Sequence, residues 1–215
     1  MRALAVLVLL LLSAPARGIL ISEYVEGNGN NQALELYNPA AAPRSITNYV
    51  LQIYANGSAV PTATITLSGT IAAGDTFVIV RSTASAALLA TADATSASLV
   101  FSGDDAIVLV NAIGTVIDRI GRVGEDPGNQ WGNGQTSTQN NVLRRTSVAP
   151  GPVDPTAPFV PSDEWQGFNQ NNFSDVGTAP VSLPEASALG MLGAALVGFS
   201  AISLPLRRGP RRRRR

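Results

Sequence analysis

ILISEYVEGNGNNQALELYNP, residues 19–39, is the most telling stretch of the chain. Ile19 to Val25 is a run of mostly apolar and aromatic residues of strand length. Gly27 to Gln32 is a turn-rich loop, because Gly and Asn tolerate positive φ. Ala33 to Asn38 alternates, with Leu34 and Leu36 on one face and Glu35 and Tyr37 on the other. Short strands separated by turns continue along the chain, with no internal repeat.

Asn48 to Tyr54 follows a Pro-containing turn. In Thr62 to Leu67, Ala63, Ile65 and Leu67 point inward and the threonines outward. Thr76 to Arg81 follows the turn at Ala73 to Asp75. In Ser82 to Ser98, Ala86 to Ala90 fits one helical turn capped by Ser85. Strands are expected again at Ser98–Phe101, Ala106–Ala112 and Thr115–Gly121. Glu125 to Asn141 reads as a long surface loop and Val142 to Thr146 as a last short strand. Proline is too frequent between Ser147 and Pro161 for regular structure. Roughly seven to nine short strands with Gly, Pro and Asn turns indicate an all-β fold, an antiparallel sandwich or barrel.

The chain has no histidine, cysteine or lysine. That excludes disulfides, thiolate chemistry, His/Cys metal sites, Ser-His and Cys-His nucleophile pairs, and Schiff bases. Carboxylates, Tyr, Ser, Thr and Arg remain for any chemistry. The formal neutrality of the chain conceals an asymmetry. Seven of its arginines lie between Arg207 and Arg215, and residues 17–183 hold about fourteen acids against seven arginines. Such an acidic stretch does not attract nucleic acid at long range.

Both ends read as targeting segments. Arg2, the apolar run Ala3–Leu12 and Ala14-Pro15-Ala16 form a signal peptide over residues 1–16, with cleavage after Ala16 and Gly18 as a second candidate. At the other end, residues 178–185 are a linker ending in Pro184-Glu185. The uncharged run 186–206 is long enough for a transmembrane helix. The arginine-rich tail 207–215 would stay on the cytoplasmic side. This order resembles the PEP-CTERM sorting signal of Gram-negative bacteria, with Ala186 where that motif has a second proline. The resemblance implies an exosortase-type processing enzyme as partner, an inner-membrane intermediate, and release to the cell surface or medium. A plain membrane anchor is the alternative.

Five segments in order resemble the bacterial exported lamin-tail domain: ILISEYVEGNGNNQALELYNP, SGDDAIVLVN, VIDRIGRVGEDPGNQWGNG, NNVLRRT and PSDEWQGF. The resemblance runs from about Ile19 to about Gly177. It implies an immunoglobulin-like antiparallel β-sandwich over residues 19–177, without known catalysis and without a resident metal or cofactor. The expected role is a non-enzymatic binding or structural domain of the cell surface or extracellular matrix, with an unidentified ligand and no direct nucleic-acid binding. The company such domains keep suggests an alternative, an accessory module of an extracellular nuclease or other hydrolase.

Several side chains are candidates for more than packing. Asp118 is in register with Val116 and Ile120, which turns it inward, where a carboxylate needs a partner. Arg144 or Arg145 would supply a structural ion pair. Glu23, Glu26, Glu35, Asn28 and Asn30 lie on the first two strands and their loop, and oxygen ligands of this kind suit calcium. Their spacing fits no calcium loop, and Asn-Gly turn chemistry accounts for the asparagines. Asp104 and Asp105 read as a solvated turn. Nothing in the spacing of the acids picks out a glycosidase pair. Trp131 and Trp165, placed in loops, would cap the end of the core or stack on a sugar or partner. Asn56 and Asn172 stand in formal glycosylation sequons.

Overall fold

The computed structural model describes residues 18–149 and 153–178. The segments 1–16, 186–206 and 207–215, and with them Ala16, Pro184 and Glu185, lie outside the described residues. Among the described residues, no helix is long and apolar enough to cross a membrane.

In chain order the strands begin with β1 (Leu20–Glu26), β2 (Gln32–Tyr37), β3 (Arg44–Ser45), β4 (Val50–Tyr54), β5 (Ala63–Thr66), β6 (Thr70–Ile71) and β7 (Thr76–Arg81). A short helix α1 (Ala86–Leu89) leads to β8 (Ala94–Ser96), β9 (Ala106–Val110) and β10 (Val116–Ile120). The remainder comprises β11 (Gly132–Asn133), β12 (Thr136–Ser137), β13 (Asn141–Arg145), α2 (Pro161–Glu164) and β14 (Trp165–Asn169).

Ten of these strands build two sheets. One has the order β14-β13-β1-β2-β7-β8 and the other β10-β9-β4-β5. Their inner faces meet in one core. Ile21, Tyr24, Leu34, Leu36, Ile79 and Leu143 come from the first sheet, and Leu51, Ile53, Ile107, Leu109 and Ile120 from the second. This is a β-sandwich, consistent with an immunoglobulin-like fold.

The pairing is antiparallel except at one edge, where β8 runs parallel to β7. Strands of the same direction cannot be joined by a tight turn. Residues 82–93, including α1, supply the crossover. Ser85 is the N-cap residue of α1 but makes no side-chain cap hydrogen bond. Its N–H instead donates to Asn31 Oδ1 at 2.8 Å.

Three local expectations are corrected. Ser98 to Phe101 is not a strand, since residues 94–96 take the sheet edge. Leu99 and Phe101 still enter the core from irregular backbone. The stretch 125–141 is not simply a surface loop. It carries the β11–β12 hairpin, and Trp131 and Thr138 are buried. Val116 does not share a face with Asp118 and Ile120. A bulge between Val116 and Asp118 shifts the register, and Val116 packs with Val108 and Val110 on the far side of its sheet. An extra residue in one strand changes which face the next side chain meets.

The alternation in β2 is realised, yet neither of its faces meets water. Val25, Ala33, Val78, Val80 and Val142 line the outer face of the six-stranded sheet. Leu88 of α1 and Val176 near the end of the described chain cover them. Polar side chains on this outer face, Glu23 and Glu35 among them, are therefore buried too.

Candidate functional site

Arg144 and Arg145 are neighbours in β13, so their side chains leave on opposite faces. Each organises a separate cluster.

Arg145 turns inward. Its Nη2 lies 2.8 Å from both oxygens of Asp118. Its Nε donates to the Ile21 carbonyl at 2.8 Å and its Nη1 to Glu164 Oε2 at 2.6 Å. The guanidinium stacks 4.4 Å from the Trp165 ring centroid. Asp118 also accepts the amides of Ile21 at 2.7 Å and Arg119 at 2.8 Å. Ile21 lies past the last β1–β13 pair, Glu23↔Arg144, and beside a bulge in β1. The Asp118–Arg145 pair thus satisfies its backbone where the ladder ends, and ties the edge strand β10 to the opposite sheet. Burial pushes the Asp118 carboxyl up, while Arg145 and the two amides pull it down. All its acceptor capacity is spent on structure, which leaves no atom free for a substrate.

Arg144 turns outward, toward Glu23. Its Nε lies 3.3 Å from Glu23 Oε1 and its Nη1 2.8 Å from Asp175 Oδ2. It also donates to the Asn172 carbonyl at 3.2 Å and sits 4.0 Å over the Phe168 ring. Glu35 stands directly across from Glu23 in the β1–β2 register. Its Oε1 accepts Ser22 Oγ at 2.5 Å and its Oε2 accepts the Gly177 N–H at 2.7 Å. A cavity of about 350 Å³ opens here, lined by Ser22, Glu23, Glu35, Arg144, Phe168 and Asp175 among others.

Two adjacent carboxylates are thus held largely out of water, with one guanidinium between Glu23 and Asp175. Burial raises Glu23 to about 8, against the opposing pull of Arg144. Burial likewise raises Glu35 to about 7, against hydrogen bonds from Ser22 and Gly177. Near neutral pH such a pair can hold and exchange a proton.

Of the five residues considered for calcium, only Glu23 and Glu35 are brought together. Glu26, also raised to about 7 by burial, accepts the Asn140 amide at 3.0 Å. The loop residue Asn28 donates its N–H to Asn171 Oδ1 at 2.9 Å. Among the described residues, no cluster of three or more acids is arranged to hold a metal. The Asp104–Asp105 turn is not wholly solvated. Asp105 is buried and accepts the amides of Asn56 at 2.9 Å and Ser102 at 2.8 Å. Trp165 opens β14 rather than a loop and belongs to the core, and Trp131 packs edge-on against Phe159. Both indoles are buried, so neither presents a stacking platform.

Sequence reasoning missed Ser22, Asp175 and Gly177 as partners of the outer pair. The polar Ser22-Glu23 step within an otherwise apolar strand was a signal. Asp175 and Gly177 lie in irregular backbone with no periodicity to read.

The raised carboxylates make a definite pH dependence. Well below pH 4.5 Glu23 and Glu35 are protonated in folded and unfolded chains alike, and their contribution to stability is fully present. As the pH rises toward about 8 the folded chain holds protons that the unfolded chain has released. Unfolding then releases protons, so stability falls with rising pH. Urea midpoints should decline steadily from about pH 5 to about pH 8.5. Midpoints that rise across this window would contradict the raised values.

A family model, the lamin tail domain, matches residues 13–124, just over half of the 215-residue chain. A search of curated proteins returned no match. The matched span holds Asp118, Glu23 and Glu35 but stops short of β13, which supplies Arg144 and Arg145, and of β14, which completes the six-stranded sheet. On this match, and with a β-sandwich built around the matched strands, the chain belongs to the lamin tail domain family.

Proposed function

We propose that this chain is an exported binding or structural domain of the cell surface or extracellular matrix, with no catalysis of its own. The lamin tail domain is a structural family rather than a catalytic one. The observation that carries the reading is the distribution of charge. Arg119 and Arg145 are buried and Arg144 is half-buried, and each guanidinium is engaged by partners within the domain. Among the described residues, Asp75, Asp93, Asp126, Asp154, Asp163 and Asp175 are exposed, against Arg44 and the 40% exposed side chain of Arg122, which is itself paired with Glu125. A surface of this kind repels phosphate backbones and favours neutral or basic partners. The accessory-nuclease alternative requires the opposite balance if the domain itself is to touch DNA.

The expected outcome of a DNA pull-down across a salt series is no retention at any salt. Retention that falls steeply with salt would favour the alternative. The signal peptide, the Pro184-Glu185 motif and the apolar run 186–206 support export and processing by an exosortase-type enzyme at the inner membrane. Glycines and alanines in that run (Gly190, Gly193, Ala194, Gly198) favour close packing against another helix. Intact mass of protein from its native host should correspond to a chain ending near Glu185. A mass retaining the apolar run and the terminal arginines would replace the sorting reading with a permanent anchor.

A further inference from the structure

The outer carboxylate pair lies beneath a strap, residues 172–178, which follows β14 and crosses the face of the six-stranded sheet. Few contacts hold it. Phe173 and Val176 pack on the apolar outer face. Gly177 donates to Glu35, and Asp175 and Asn172 meet Arg144. Asn171, at positive φ in the turn before the strap, accepts from the Asn28 amide and Asn31 Nδ2. Such a small apolar anchor lifts at far lower cost than the sandwich unfolds.

The charges around the pair come from every element packed there. β1 contributes Glu23, β2 contributes Glu35, β13 contributes Arg144, and the strap contributes Asp175. From β14 come Gln166 and Phe168, which are uncharged. Arg145 also borders the cavity but is engaged with Asp118 and Glu164. Three carboxylates therefore face a single available guanidinium. With one proton on the glutamate pair, the excess is one negative charge. With both glutamates ionised, it becomes two in a largely dehydrated space. Lifting the strap removes Asp175 and admits water, which relieves both the repulsion and the desolvation.

We propose that residues 172–178 are a proton-controlled latch, closed over the cleft while the Glu23–Glu35 pair retains a proton and released when both are ionised. The bonds from Ser22 and Gly177 favour ionised Glu35 and so oppose release. Desolvation outweighs them, as the raised values of both glutamates indicate. Release exposes the carboxylates together with Phe168 and the valines of the outer face.

Hydrogen exchange of the full chain, measured as protection relative to an unstructured peptide at each pH, tests this. Between about pH 6 and about pH 9 the amides of Phe173 to Thr178 should lose about tenfold in protection, as expected when opening is coupled to a proton with a shift of one unit or more. Amides of β9, which open only with the whole sandwich, should stay far better protected than the strap at every pH. Glu35→Gln and Glu23→Gln should each flatten the dependence. Strap protection that does not change with pH overturns the latch. So does strap protection equal to that of β9, which means the strap opens only when the whole domain unfolds, and so does a dependence that survives in both variants. If either variant fails to fold, the wild-type comparison of strap with β9 still decides.

Discussion

Asp118→Ala is expected to destabilise the domain by about 3–5 kcal/mol, as when a buried ion pair loses one partner. The residue is fully buried, and its carboxylate serves three donors: Arg145 Nη2 and the amides of Ile21 and Arg119. Removing it leaves a buried guanidinium with only Glu164 as charged partner and strands the Ile21 amide at a point where no strand replaces the bond. Total stabilities of single domains lie near 5–15 kcal/mol, so a loss of this size leaves little. Urea denaturation measures it. The double variant Asp118→Ala/Arg145→Met should recover part of the loss, because an apolar side chain needs no countercharge. A change below about 0.5 kcal/mol for the single variant would mean the pair has no structural weight.

Gly167→Ala is expected to cost about 3 kcal/mol, the upper end for overpacking. Gly167 lies in β14, and the β11–β12 hairpin presses on it. A Cβ built there would come within 1.9 Å of the Gln135 carbonyl oxygen and 2.6 Å of the Thr136 nitrogen. These are backbone atoms, so no rotamer change relieves the clash, and either the hairpin or the edge strand must move. Gly18→Ala is the control: its Cβ would meet nothing within 4 Å, and a change within about 0.5 kcal/mol is expected. Equal urea midpoints for Gly167→Ala and wild type would show that the hairpin yields freely.

Strand alternation was legible because the period of two is a property of the backbone alone. It placed Leu34 and Leu36 together and separated them from Glu35. It also implies that Arg144 and Arg145 part company. It was silent on whether the second face is dry. Glu35 looks like a solvent residue by alternation, and it becomes buried only because Gly177 and Val176, more than a hundred residues later, return across the sheet.

The failures share that origin. Val116 reads as an inward residue until a bulge displaces the register, and bulges depend on what the neighbouring strand demands. Leu99 and Phe101 are apolar enough for a strand, but the crossover after α1 gives the sheet edge to Ala94–Ser96. Trp131 and Trp165 sit among polar residues, and only tertiary partners, Phe159 against the one and Arg145 over the other, make them interior.

Composition and local periodicity suffice for the class of the fold, for the acidity of the domain and for the chemistry that the absence of histidine, cysteine and lysine rules out. They do not say which arginine meets Asp118, which carboxylates share a cleft, or what lies over them. Those outcomes belong to the folded chain, because they depend on contacts between distant segments. There a single inserted residue or a returning strap changes which groups lose their water.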